Sequence, residues 1–289
     1  MVAIIINPIS GGATTEQARL RAQLADEMLK ARGEEGEVVV TERRGHGRDL
    51  ARALAPRARL VIAWGGDGTV NEVGSALAFG PTPMAIVPAG SGNGLALELA
   101  VNRRPEDAIR DALGAVARPI DVGELDGRLF FNAAGIGFDA HIARCFEREP
   151  TGRRGLLTYV RVTARELWSY RPRNYVIDGR LVRRALLITF ANSGQFGNGV
   201  QIAPAASVDD GRLDQVVFEE RSRLATLCGL PRLLRGRVDR VRGWSRVRVE
   251  RSTIESDEPM AYHLDGEPAM GGARLDARVH PRALLMCVR

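Results

Sequence analysis

The sequence predicts two domains, an α/β N-terminal domain with a parallel sheet over residues 1–118 and a mainly antiparallel, β-rich domain over residues 119–289. Three observations carry this. The chain has 289 residues with 45% hydrophobic content, long enough to bury two cores. Residues 1–118 repeat one pattern, in which a short apolar run meets a Gly-rich or polar turn and then an amphipathic stretch, as in a parallel sheet covered by helices. From about Pro119 the texture changes to short strands punctuated by Asp126-Gly127, Asp178-Gly179, Asp210-Gly211 and Asp265-Gly266, the turn dipeptides of antiparallel hairpins.

The elements follow in order. Val2 to Ile6 lacks a basic leader and runs straight into Asn7, Pro8, Ser10, Gly11 and Gly12, so it reads as a first strand rather than a secretory signal. A helix from Thr15 to Arg32 follows, capped by Thr14 or Thr15 and stopped by Gly33. Val38 to Val40 leads through Gly45 and Gly47 into a helix over Arg48 to Leu54, which ends before Pro56. Leu60 to Trp64 opens onto a second Gly-rich turn and a helix over Val70 to Phe79, and Met84 to Val87 onto a third turn and the stretch Gly94 to Ala100. Ligands of such sheets bind beyond the carboxyl ends of the strands, so the three Gly-rich turns are expected on one edge. In the second half, helical insertions are expected over Leu156 to Trp168 and Leu224 to Leu234.

Charge narrows the chemistry. Lysine and arginine number 41 against 35 acidic residues, a net charge of +6, yet Lys30 is the only lysine. Lysine-centred phosphate loops, protein-kinase strand lysines and Schiff bases each need a placed ammonium, and Lys30 sits on a polar helix, so these are set aside. The arginines alternate with carboxylates and form no block, which argues for a solvated surface and against nucleic acid. Cys145, Cys228 and Cys287, like His46, His141, His263 and His280, show no metal-ligand spacing, and the cysteines fit a reducing, cytoplasmic setting. No apolar stretch approaches the roughly 20 residues that cross a bilayer.

The sharpest motif is Gly65-Gly66-Asp67-Gly68-Thr69-Val70-Asn71-Glu72, between a strand and a helix. Glycines let backbone approach a polyphosphate, and free amides at a helix start attract the anion. An aspartate inside such a turn would repel phosphate unless a metal intervened, so Asp67 suggests Mg²⁺, directly or through water. A plain helix cap is the competing role. The turn Pro88-Ala89-Gly90-Ser91-Gly92-Asn93-Gly94 and the turn Asn7-Pro8-Ile9-Ser10-Gly11-Gly12 repeat the theme. Ser10, Thr69 and Ser91 would bring hydroxyls to the same anion, although an N-cap is the commoner role for each hydroxyl alone, while Asn71 and Asn93 would orient the turns or donate to phosphate oxygens.

These turns, in this order and spacing, resemble the diacylglycerol kinase catalytic family, which includes bacterial lipid kinases, sphingosine kinases and ceramide kinases. The second half adds Phe131-Asn132-Ala133-Ala134-Gly135-Ile136-Gly137, Asp209-Asp210-Gly211-Arg212-Leu213-Asp214 and Leu264-Asp265-Gly266-Glu267-Pro268, so the resemblance spans nearly the whole chain. It implies an α/β nucleotide-binding domain joined to a β-rich domain, with the active site in the cleft between them. It implies ATP contacts at Thr41, Ser91 and Gly65, Gly66, Asp67, Gly68, Thr69, Val70 and Asn71, beside the flanking turn residues Asn7, Ser10, Gly11 and Asn93. Glu267 becomes the candidate base, since transfer to an alcohol needs a carboxylate to take its proton, with Asp265 and Asp67 as alternatives. A structural Mg²⁺ is implied at the Asp210 carboxylate and the backbone carbonyls of Ser207 and Arg212, where an ordinary Asp-Gly turn is the rival.

Two departures matter. Gly12 stands where many relatives carry lysine, so an arginine such as Arg19, or no cation, serves the phosphates, and Ser91 replaces a frequent threonine, which leaves the lipid headgroup open. The resemblance implies a membrane lipid as substrate and a cytoplasmic protein peripheral to the inner membrane face, with a homodimer left open. Reversible contact with an anionic surface is expected through Arg148 to Arg165, where arginines accompany Leu156, Leu157, Tyr159, Val160 and Val162, although a packed helix with solvated arginines explains the spacing as well. The competing functions are an NAD kinase, which shares the GGDGT turn, and a non-catalytic lipid- or nucleotide-binding protein.

Overall fold

The computed structural model describes residues 1–147, 156–195, 201–219, 222, 241 and 243–288. The chain divides into two compact units, one of Met1–Ile120 with Arg282–Arg289 and one of Asp121–Pro281.

The first unit is built on four parallel strands, β1 (Val2–Ile6), β2 (Gly36–Val40), β3 (Leu60–Gly65) and β4 (Met84–Pro88), in the order 4-3-1-2. Ile4 pairs with Val38 on one side and Ile62 on the other, and Ala63 pairs with Ile86. β1 and β3 are wholly buried apolar runs, as a sheet covered on both faces requires. The helices are α1 (Thr15–Ala31), α2 (His46–Leu54), α3 (Asp67–Leu77), α4 (Gly94–Glu98) and α5 (Pro105–Gly114). α1 starts with a capping box between Thr14 and Gln17, and Gly33, at φ +64°, follows its end. α2 starts at His46 and α3 at Asp67, each a little before the apolar periodicity begins, because glycines supply their caps. α5 was not expected; Pro105 at its first position, with Glu106 and Asp107 in its first turn, marks its start. The core gathers Ile4, Ile6, Leu29, Ile62, Trp64, Val87 and Ile109, and the chain end returns to this unit with Met286 beside Met84 in parallel.

The second unit is antiparallel. Its elements are β5 (Ala117–Leu125), β6 (Arg128–Phe130), β7 (Ala133–Gly137), α6 (Phe138–Glu147), α7 (Leu156–Ser169), β8 (Arg173–Ile177), β9 (Arg180–Ala191), β10 (Leu213–Glu219), β11 (Trp244–Val249), β12 (Arg251–Glu255), β13 (Ala261–Leu264), β14 (Glu267–Met270) and β15 (Arg274–Cys287), the ends of β5 and β15 reaching into the first unit. The long β9 pairs with β7, β8 and β10. Three of the four Asp-Gly pairs are hairpin turns with both residues at positive φ, Asp126-Gly127, Asp178-Gly179 and Asp265-Gly266, the conformation such dipeptides favour. Asp210-Gly211 differs, since only Gly211 has positive φ and the turn leads into β10. Phe130, Ile136, Ile188, Phe190, Tyr262 and Leu275 fill the core.

Of the expected helical insertions, α7 matches the first, and Leu224 to Leu234 lies outside the described residues. α6 was missed, because it leaves β7 with no intervening loop. Among the described residues no helix is long and apolar enough to cross a membrane.

Candidate active site

In the sheet order 4-3-1-2, the chain moves one way from β1 to β2 and the other way from β1 to β3 and β4, so the topological switch falls between β1 and β3. That is where ligands of doubly wound sheets bind. The turns after β1, β3 and β4 all leave this carboxyl edge, as the sequence pattern predicts, and they interlock. Asn7 Nδ2 donates to Thr69 Oγ1 at 2.9 Å, tying the first turn to the second. A Cβ on Gly90 would lie 2.6 Å from the Gly66 Cα, so the second and third turns meet backbone to backbone and only glycine fits. Gly11, at φ +71°, presses the first turn on the third, where a Cβ would stand 2.4 Å from the Ala89 carbonyl oxygen.

Asp67 occupies the first position of α3. Its carboxylate reaches the third turn, accepting from Asn93 N at 2.9 Å and Gly94 N at 2.8 Å, and so caps α4. Asn93, in the left-handed conformation, closes its own turn by accepting from Gly90 N and donating to Gly90 O. Gly66, at the N-cap of α3, has no side chain to offer. Amides of such a glycine-started first turn, here those of Gly68 and Thr69, are the groups that hold phosphate oxygens in strand-to-helix sites.

The other expected nucleotide residues take distinct places. Gly65 must lack a side chain, since a Cβ would lie 2.3 Å from Thr69 Oγ1. Val70 packs in the core, leaving only its backbone for a ligand, while Ser91 is exposed. Asn71 is half-buried beside Ser75, and Thr41 is buried at the end of β2, its N–H donating to Ile6 O. Glu72 was not singled out, yet it accepts from Gly45 N and Gly47 N at 2.6 and 2.9 Å and holds the turn that follows Thr41 against α3.

The arginine at the first turn is Arg21, not Arg19. Arg19 projects into solvent toward Glu16, whereas Arg21 lies two residues on and faces inward, donating to Ser10 Oγ at 3.1 Å and to the carbonyls of Asn7 and Ser10. Partial burial lowers its pKa. Ser10 is thereby engaged inside the turn.

In the second unit, Asp265 at the β13–β14 turn accepts from three consecutive amides, those of Phe131, Asn132 and Ala133, at 3.0, 2.8 and 3.1 Å. This explains the Phe-Asn-Ala-Ala-Gly run, whose backbone serves as the anchor. Glu267, half-buried, opens β14 opposite Leu264. Behind the turn, His263 Nδ1 accepts from Gly266 N, and His263 Nε2 lies 3.1 Å from Asp139 Oδ2, which also accepts from Thr189. Complete burial opposes charge on His263, but Asp139 and then Asp265 outweigh it and raise its pKa.

The 207–212 turn can be judged as a cation site from its donors. Asp210 Oδ1 accepts from Arg212 N, and its other oxygen lies 3.9 Å from Arg248. Asp121, missed in the sequence and fully buried, accepts from Gly211 N at 2.6 Å, so two carboxylates flank one turn. With the carbonyls of Ser207 and Arg212, the donors are all oxygens, which fits Mg²⁺. The signal for Asp121 was a lone carboxylate inside the apolar strand run Ile120-Asp121-Val122.

A parallel sheet with interlocked glycine turns at its switch point, followed by an antiparallel unit with a tethered Asp-Gly-Glu turn, defines a two-domain protein whose turns have the build of phosphate-binding loops. The chain belongs to the diacylglycerol kinase catalytic family of lipid kinases: residues 1–125 match the diacylglycerol kinase catalytic domain, and residues 132–288 match the YegS C-terminal NAD kinase beta sandwich-like domain. A probable lipid kinase YegS-like protein of Pseudomonas aeruginosa is 32% identical over 290 residues, covering 98% of this chain and 92% of the relative. The diacylglycerol kinase of Bacillus subtilis is 31% identical, covering 91% and 88%. The crystal structure of a diacylglycerol kinase from Bacillus anthracis superposes with a TM-score of 0.72 at 19% identity, over 100% of this chain and 96% of that one, which shows the shared fold.

Proposed function

We propose that this protein is an ATP-dependent lipid kinase that transfers the γ-phosphoryl group of ATP to a hydroxyl of a membrane lipid, diacylglycerol or a sphingoid-type relative. The observation that carries the reading is the set of three interlocked turns over the glycine-started α3, in a chain whose relatives are named for lipid phosphorylation. The amides of Gly68 and Thr69, with the side chains and backbone of the flanking turns, hold the triphosphate. Asp67 keeps the second and third turns in register. Glu267 takes the acceptor proton as the new O–P bond forms and the bond to the β-phosphate oxygen breaks, leaving ADP with the electron pair. Asp265, committed to three amides, positions that turn instead of accepting the proton. When bound with the nucleotide, Mg²⁺ would supply charge neutralisation at the phosphates, and a second ion at the 207–212 turn would be held by Asp210, the carbonyls of Ser207 and Arg212, and Asp121.

The protein reaches its substrate by docking reversibly on an anionic bilayer, as a peripheral protein of the cytoplasmic face. Arg161 and Arg165 of α7 are exposed and Trp168 is 56% exposed, whereas Val162 is buried, so the solvent side of the helix is basic with an aromatic end. Arg148, Arg153 and Arg154 lie outside the described residues. Incubation with labelled ATP and a total lipid extract tests the function: a labelled lipid identifies the acceptor, and label on added NAD with none on lipid would replace this reading by NAD phosphorylation.

A further inference from the structure

Away from the turns used above, one cluster in the second unit gathers three different metal-ligating groups. His141 and Cys145 stand four residues apart on α6 and face Glu166 of α7. His141 Nε2 lies 2.8 Å from Glu166 Oε2 and 3.6 Å from Cys145 Sγ, and the three ligand atoms lie within 4.8 Å of one another. All three residues are half-buried, between solvent and core, where an ion can enter yet lose part of its water.

Bond lengths decide whether an ion fits. Tetrahedral zinc with bonds of about 2.0–2.2 Å to nitrogen or oxygen and about 2.3 Å to sulfur sets nitrogen and sulfur ligands roughly 3.5 Å apart and nitrogen and oxygen roughly 3.3 Å apart. The His141–Cys145 separation already has this value, and the His141–Glu166 contact needs to open by about half an ångström. Arg165 Nε donates to Glu166 Oε1 at 2.9 Å, fixing one carboxylate oxygen and turning the other toward His141. We propose that His141, Cys145 and Glu166 form a zinc-binding site, with water in the fourth position. Thiolate and imidazole select zinc over the hard ions Mg²⁺ and Ca²⁺. On binding, the Cys145 thiol releases its proton to solvent, and the hydrogen that His141 Nε2 directs at Glu166 gives way to the metal, leaving a neutral ring with its one proton on Nδ1. One zinc, one thiolate and one carboxylate then sum to zero charge.

His141 also lines a cavity of about 350 Å³ whose wall includes Arg144, Tyr170 and Tyr175. α6 packs on β13 and β14, the hairpin that carries Asp265 and Glu267. A metal joining α6 to α7 would brace the helix on which that hairpin rests.

Cobalt(II) titration of the full-length, chelator-stripped protein, in excess Mg²⁺, tests the site. The expected result is visible bands of four-coordinate cobalt with a near-ultraviolet sulfur-to-cobalt charge-transfer band, both displaced by zinc. C145S should lose the charge-transfer band, and E166Q should weaken binding by more than about tenfold, the lower bound for losing even an outer partner of a metal site. Zinc should raise the Tm of wild type and not of C145S. Folded wild-type protein without a charge-transfer band, or a band that survives C145S, would overturn the assignment.

Discussion

Replacing Asp67 by Asn probes how the phosphate-binding turns are held together. The carboxylate accepts two backbone N–H groups, at 2.9 Å from Asn93 and 2.8 Å from Gly94. An asparagine side chain offers one carbonyl oxygen and one NH₂, so one bond is lost, the second becomes neutral, and a donor is set against a donor. Hydrogen bonds to charged groups contribute about 1.5–3 kcal/mol, and neutral ones about 0.5–1.5 kcal/mol. Losing one and weakening the other costs roughly 2–4 kcal/mol. For a unit of this size that lowers Tm by about 10 °C. Trp64, buried on β3, reports unfolding of the first unit by fluorescence once Trp168 and Trp244 are replaced by Phe. A melting midpoint for Asp67→Asn within about 2 °C of the parent would refute the clamp and leave Asp67 a purely chemical role.

Glu267→Gln should lower kcat by about 10² to 10⁴ with ATP affinity nearly unchanged, as steady-state kinetics and nucleotide titration would reveal. Asp265→Asn should instead lower thermal stability, and the converse pattern would exchange the two roles. His263 has its pKa raised in the folded state, so its contribution to stability is complete below the unfolded value near 6.5 and is lost as pH rises through the folded pKa. The Tm of wild type should therefore fall more steeply than that of His263→Gln above about pH 6.5, and parallel pH profiles would count against it. Adding Mg²⁺ to chelator-stripped protein without nucleotide should raise the Tm of wild type but not of Asp210→Ala; equal responses would remove the ion from the 207–212 turn.

Much of this was legible in the residues. The Gly-rich turns announced themselves because phosphate sites need backbone without side chains, and alternation of strand and helix placed them on one edge. Three Asp-Gly pairs declared their hairpins, since few other dipeptides accept two positive φ angles. What could not be read were partners distant in sequence. The anchor of Asp265 lies more than a hundred residues earlier, at Phe131 to Ala133, and motif spacing carries no trace of that contact. Asp67 read as a metal ligand or a cap of its own helix, whereas its oxygens are turned to the next turn. Arg21 rather than Arg19 reaches the first turn because the two lie about 200° apart around α1, so a shift of two residues exchanges solvent for turn. His141 and Cys145 looked isolated because their third companion arrives from another helix.

Phosphoryl transfer to lipid is decided by counting phosphate. Wild-type protein with Mg²⁺, γ-labelled ATP and diacylglycerol in mixed micelles should release one ADP for each labelled phosphate extracted into organic solvent, with Glu267→Gln blocking both. ADP release without labelled lipid, or transfer that persists undiminished in Glu267→Gln, would contradict the account.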